Sequence, residues 1–317
     1  LEYFKGDTIG WETIDRNPNV NLDGGARALY MGGATPAAVN TIDYFTISTL
    51  GDATDFGDLV AVKSNHFCAS SRTTVAWAGG YDGPNRTNSI STQVFSSLGN
   101  SVDTADLSAA TSTATGVSNQ TRACFIGGTD GSVRNTIEYY TFAAEANTSD
   151  FGDTTANMYT GSACGSSTRG VFNFGVTSAP SRINTINYIT LATTGNSADF
   201  GDLTDEKFQY EAAGNATRGI CYGGRTQPAG GLINVIDYIT IATLGNAKDF
   251  GDASVTLAAN SACSSSTRVV SGGGSNPSLT NLIEYVQIMT TGNGVDFGDM
   301  THAPQNLSGC SNGHGGL

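Results

Sequence analysis

Six times along the chain an arginine is followed by a strand-like run ending in Gly-Gly or a close variant, then by a strand of the Ile-Asp-Tyr type, then by Asp-Phe-Gly-Asp. A period within about 20 to 50 residues marks an array of identical supersecondary units, each too small to bury its apolar faces except against its neighbours. The arginines are Arg27, Arg72, Arg122, Arg169, Arg218 and Arg268, at spacings of 45, 50, 47, 49 and 50 residues. Five copies carry the second strand in clear form, as in Thr41-Ile42-Asp43-Tyr44 or Leu282-Ile283-Glu284-Tyr285. The second unit departs twice, with Ser89-Ile90-Ser91-Thr92 for that strand and Asp103-Thr104-Ala105-Asp106 for Asp-Phe-Gly-Asp.

Composition narrows what such an array can be. Across 317 residues there are 41 glycines, 14% charged residues and short alternating runs rich in Val, Thr, Ser and Asn, which suit strands and tight turns rather than long helices. No run of 18 apolar residues is present, so membrane insertion is not expected. Nucleic acid is not expected either, because phosphate binding needs clustered Lys and Arg and the chain sets 15 of these against 28 acids.

Each unit reads as four strands. In the fifth, strand A is Phe208 to Ala213, B is Gly219 to Tyr222, C is Val235 to Ala242, and a short D lies around Phe250 to Ser254. Four antiparallel strands per repeat joined by tight turns make a propeller blade. Strand A is dominated by small residues, as in Ala258-Ala259-Asn260-Ser261-Ala262-Cys263, which places it at the crowded axis. The Tyr of strand C and the Phe of Asp-Phe-Gly-Asp are then the bulk available to fill the widening gaps between blades. A last strand-A segment, Asn306 to Asn312, follows the sixth Asp-Phe-Gly-Asp and is expected to complete the first blade, shutting a ring of six. Residues 1–22 read as an arm outside a propeller domain of residues 23–317. The rival pairing, Leu1 to Phe4 with the closing segment as a split seventh blade, is disfavoured because the start of the chain has no Arg-to-Gly-Gly element.

The arginine, the Gly-Gly strand, the Tyr strand and the following aromatic resemble the kelch repeat, with Phe where kelch has Trp. The phrases Cys263 to Arg268, Ile236 to Thr243 and Gly245 to Asp252 resemble the Gly-rich repeat arrays of marine bacteriophage virion structural proteins over residues 27 to 310. With the repeat count the reading is an all-β, six-bladed kelch-like propeller, and the phage resemblance implies a component of a phage particle, in a tail or fibre, made in a bacterial host's cytoplasm and carried outside it on the virion. It brings no catalytic residues with it.

Candidate chemistry is sparse. Copper-oxidase propellers use histidines and tyrosines, but His66, His302 and His314 do not recur in such a pattern. The repeated arginines are tied to the A-to-B turn, where pairing with a nearby Asp or capping of carbonyls accounts for them. Asp-Phe-Gly-Asp offers a cation two carboxylates separated by a bulky Phe, so turn formation, with the first Asp accepting backbone N–H groups and Gly at positive φ, is the expected role. Cys68, Cys164, Cys263 and Cys310 share one phase of the repeat and Cys124 and Cys221 another, which reads as small buried apolar side chains. No cofactor, metal or enzymatic activity is expected.

Strand direction puts the A-to-B and C-to-D turns on one face and the B-to-C loops and D-to-A linkers on the other. The B-to-C loops differ between copies, and with Trp77 they supply the candidate binding residues Tyr81, Asp82, Arg86, Arg134, Arg182, Arg225 and Gln227, aromatic and planar polar groups suited to sugar faces and hydroxyls. The expected function is a non-enzymatic virion structural or receptor-binding module that contacts a host surface glycan or another virion protein. The alternatives are a purely structural spacer or decoration protein, and a hydrolase or lyase acting on polysaccharide.

Overall fold

The computed structural model describes residues 2–4, 11–13, 26–173, 175–178, 181–226 and 231–317. It is a six-bladed β-propeller, with six four-stranded antiparallel sheets and, among the described residues, no helix. Blade 1 runs, from strand A to strand D, Ser308–Ser311, Arg27–Met31, Val39–Thr46 and Thr54–Lys63. Blade 2 is Phe67–Ser70, Thr74–Ala78, Ser89–Val94 and Val102–Asp106. Blade 3 is Thr115–Ser118, Arg122–Ile126, Arg134–Thr141 and Ser149–Met158. Blade 4 is Ala163–Gly165, Arg169–Asn173, Thr185–Thr190 and Ala198–Asp202. Blade 5 is Glu211–Gly214, Arg218–Tyr222, Val235–Thr240 and Lys248–Asp252, and blade 6 is Ser261–Ser264, Arg268–Gly272, Leu282–Gln287 and Val295–Asp299. The late strand closes blade 1 in the expected manner, with Leu29 opposite Cys310. Of the arm expected over residues 1–22, Glu2–Phe4 and Trp11–Thr13 pair antiparallel, and its other residues lie outside the described ones.

Asp-Phe-Gly-Asp is not the turn that its composition suggests. It lies within strand D, where the C-to-D register slips at the same place in every blade, for example between Ile42 and Asp43. Asp43 pairs with Asp55 and Ile42 with Gly57, so Phe56 is the extra residue of a β-bulge, and the bulge turns its ring into the core. The glycine does take positive φ, 148° at Gly57, and packs on the next blade: a Cβ there would lie 2.3 Å from the carbonyl oxygen of Gly99. The first Asp of the motif is exposed. It is the second that is held, through its backbone: Asp58 N–H donates to Asn100 Oδ1 in the next blade's C-to-D turn at 3.0 Å, and Asp202 N–H to Asn246 Oδ1 at 3.1 Å.

The arginines fasten blade to blade. Arg122 lies over the ring of Tyr139 at 4.3 Å, Tyr139 meets Phe151 edge-on, and the guanidinium donates to the Leu191 carbonyl of the next blade at 2.9 Å. The same arrangement recurs with Arg169, Tyr188 and the Ile241 carbonyl, and with Arg218, Tyr238 and the Ile288 carbonyl. Arg268 with Tyr285 reaches the carbonyl of Ile47 across the ring closure, and Arg27 with Tyr44 reaches that of Phe95. Carbonyl capping is therefore the arginines' role. The buried apolar residues form one cluster in each gap between neighbouring blades.

The second unit departs further than its sequence indicates. Strand B of blade 2 begins at Thr74, so Thr74 occupies the arginine position and Arg72 stands two residues earlier, in the turn. By register, Thr92 replaces the Tyr of strand C and Thr104 the bulge Phe, so all three members of the stack are threonine here. The missing bulk returns from across the gap, where blade 3 presents Tyr140 and Phe142, ring centroids 5.8 Å apart, to the cluster between blades 2 and 3. Ala105 stands where the other blades have the bulge glycine, and the facing turn of blade 3 has Ala146 where theirs have glycine.

Two substitutions test this interlock. Arg218→Ala is expected to lower unfolding free energy by about 2 kcal/mol in denaturant titrations, from the lost charged hydrogen bond and ring contact. Gly251→Ala, which pushes a Cβ to 2.5 Å from the Gly292 carbonyl oxygen at φ 149°, is expected to cost more than about 1 kcal/mol. Wild-type midpoints for both variants would contradict it.

Candidate functional site

The predicted binding residues fall into four groups. Tyr81 and Asp82 pair with Arg86 and Asn85 in a small hairpin on the B-to-C face, with the Arg86 guanidinium 5.2 Å from the centre of the Tyr81 ring and Asp82 exposed. Arg86 Nε donates to Ser112 Oγ at 3.2 Å, and Arg134 donates to the adjoining Thr111 Oγ1 at 2.8 Å, so the linker between blades 2 and 3 brings these four candidates together. Arg134 is the least available of them, because it also faces Asp130 at 3.8 Å and Glu138 at 3.9 Å. Arg225 lies apart on blade 5, half-buried in a strand that pairs with Lys207–Phe208.

Trp77 is a correction. It is 1% exposed in the cluster between blades 1 and 2, because strand B alternates its side chains and position 77 faces the gap, so no surface ligand reaches it. The backbone of Arg182 pairs with Val176 in the blade 4 loop, and its side chain, like Gln227 entirely, lies outside the described residues.

A second concave feature was not read from the sequence. The strands A enclose an axial channel with about 100 Å³ of free space, which opens towards the D-to-A linkers in a mouth of about 70 Å³. Six equivalent linker residues, Asn65, Thr113, Thr160, Gln209, Ala259 and Asn306, ring that mouth, and all take left-handed backbone with φ between 52° and 56°. Such backbone costs a non-glycine residue about 1–2 kcal/mol, and here it turns five of the six N–H groups onto a neighbour. Thr160 donates to the carbonyl of Thr113, Thr113 to Asn65, Asn65 to Asn306, Asn306 to Ala259 and Ala259 to Gln209, at 2.8–3.0 Å. At the opposite end residues 312–317 cross the channel: Gly315 N–H donates to the Gly214 carbonyl at 2.9 Å, and His314 Nε2 lies 3.0 Å from the Ser70 carbonyl.

Glu211 is the carboxylate of the channel wall. It accepts from Ser162 Oγ at 3.0 Å, and its withdrawal from water pushes its pKa up to about 8. Burial pulls His66 down to about 3 and His314 to about 4. The channel is small against the roughly 300 Å³ in which sugar-sized or larger organic ligands are usually enclosed. Among the described residues no three His, Cys, Asp or Glu side chains gather to hold a metal ion. The buried carboxylates of strand C instead cap linkers, Asp43 accepting from Thr301 N–H at 3.0 Å and Asp237 pairing with Lys207 Nζ at 2.6 Å.

No protein-family model and no curated protein matches the chain.

The channel sets a pH dependence whose two limbs have opposite sign. Glu211 has its folded pKa above its ordinary 4.5, so its contribution to stability is full below about 4.5 and is lost as pH rises through 8. His66 and His314 lie below their ordinary 6.5, so theirs is full above 6.5 and is lost as pH falls towards 4 and 3. Two histidines outweigh one carboxylate until the histidines of the unfolded chain lose their protons, so the melting temperature is expected to peak at about pH 6.5. Glu211→Gln is expected to flatten the alkaline limb alone, and an unchanged limb would show that Glu211 does not titrate there.

Proposed function

We propose that the chain is a recognition module of a bacteriophage particle, a rigid disc that holds a host surface glycan or a neighbouring particle protein on its B-to-C face without catalysing a reaction. One observation carries the recognition half. The repeated side chains are occupied with one another, arginines on carbonyls and strand C acids on linkers, while the non-repeating Tyr81, Asp82 and Arg86 stand together on a surface hairpin. A stacked tyrosine and guanidinium beside an exposed carboxylate offer an apolar face and both signs of hydrogen-bonding group, which is what a polyhydroxylated or planar polar partner requires. The particle half rests on the repeat phrases, which resemble those of phage structural proteins.

The test joins a glycan array of bacterial envelope polysaccharides with capture of capsid and tail proteins identified by mass spectrometry. The module is expected to bind one of these two classes, and the double variant Tyr81→Ala, Arg86→Ala to lose at least about tenfold in affinity with its melting temperature unchanged. Binding to neither class, or equal binding by the variant, overturns the proposal.

A further inference from the structure

We propose that Cys68 and Cys310 are a modification site, a thiol pair that small oxidants convert to a disulfide bolting the closing strand to the next blade. Their sulfurs are 2.6 Å apart across 242 residues of chain, well inside the ordinary contact distance of two thiols. A disulfide needs about 2.05 Å between sulfurs, so bond formation asks for only a small further approach.

The pairing follows from a one-residue offset. On strand A the positions opposite the third residue of strand B point forward, into the gap with the following blade: Cys164 opposite Val171, Cys263 opposite Val270 and Cys310 opposite Leu29. In blade 2 that position is Ala69, and Cys68 stands one residue earlier, opposite Trp77. The four cysteines therefore do not share a phase. Side chains alternate along a strand, so Cys68 points backward, into the gap between blades 1 and 2 where Cys310 points forward. The two strands A are already fixed side by side there, by Ser308 Oγ donating to the His66 carbonyl at 2.6 Å and Ser70 Oγ to the Ser311 carbonyl at 2.9 Å. Cys263, by contrast, meets the Tyr30 hydroxyl at 3.6 Å.

Both thiols line the axial channel and Cys68 is half-buried, so a molecule as small as hydrogen peroxide suits the approach. The Cys68 thiolate attacks the peroxide O–O bond, giving a sulfenic acid and a hydroxide that takes up the thiol's proton as water. The Cys310 thiol then displaces the hydroxyl from that sulfur, the S–S bond forming as the S–O bond breaks, and hydroxide leaves with the Cys310 proton as a second water. The two sulfurs together give up two electrons and the peroxide accepts them. Burial holds the Cys68 thiol well above its ordinary pKa, so the rate is expected to climb with pH.

The experiment treats folded protein with hydrogen peroxide, alkylates remaining thiols under denaturing conditions, and reads intact mass, a non-reducing peptide map and the melting temperature. The expected result is a loss of two hydrogens, four alkylated cysteines in place of six, a peptide joining residues 68 and 310, and a melting temperature raised by roughly 5 °C until a dithiol reductant is added. Cys68→Ser and Cys310→Ser are each expected to abolish the joined peptide and the shift. Sulfinic acid at either residue without a cross-link, or a cross-link to another cysteine, overturns the proposal.

Discussion

Every blade of this disc has two apolar faces, and five of the six gaps between blades follow from chain continuity: the next blade is simply the next stretch of sequence. The sixth does not. The ring exists only because Ser308–Ser311 lies down beside Arg27–Met31, pairing residues some 280 positions apart, with Arg27 N–H held by Asn312 Oδ1 at 2.8 Å over a separation of 285. Without that strand blade 1 would have three strands, the channel would lose one wall, and the clusters on both sides of blade 1 would open to water. Closing so long a loop costs conformational entropy that no local contact offsets, so the closure and the interlocks on either side of it must form cooperatively.

The interlocks act at different radii. At the axis, left-handed linker residues pass backbone hydrogen bonds from one blade to the next. Further out, guanidinium groups reach neighbouring carbonyls while resting on tyrosines. At the perimeter, the bulge glycine admits the next blade's turn. The same three contacts recur around the ring, so a defect in one repeat has to be absorbed by its neighbour. Blade 2 shows this: three threonines replace the Arg, Tyr and Phe stack together, and Tyr140 and Phe142 of blade 3 fill the space.

The six units, the small-residue inner strands, the closing segment and the outlying second copy were all legible in the sequence, because periodicity and side-chain size report on packing directly. The Asp-Phe-Gly-Asp bulge was not. Gly flanked by Asp has the composition of a turn, and only the register of the partner strand shows one extra residue in a continuing ladder. Arg72 misled through proximity, since an arginine two residues early satisfies the spacing but not the alternation. On the candidate site, Tyr81, Asp82 and Arg86 stand out because they break the repeat, whereas Trp77 occupies the strand B position of Tyr30, Phe125 and Phe172 and is packing. The channel mouth left no mark in the sequence: Asn, Thr, Gln and Ala share only a backbone conformation, and Glu211 is one acid among 28 until the ring closes around it.

In the proposed role the disc works by being stiff, holding non-repeating loops on a scaffold whose repeating groups are already engaged. That stiffness depends on the closure being as firm as the other five seams. Native-state hydrogen exchange measures it: the amides of residues 308–311 are predicted to exchange only with global unfolding, at the same free energy as the inner strands of blades 4 and 5. Exchange of those amides through a low-energy local opening, while the other blades stay protected, would contradict the account.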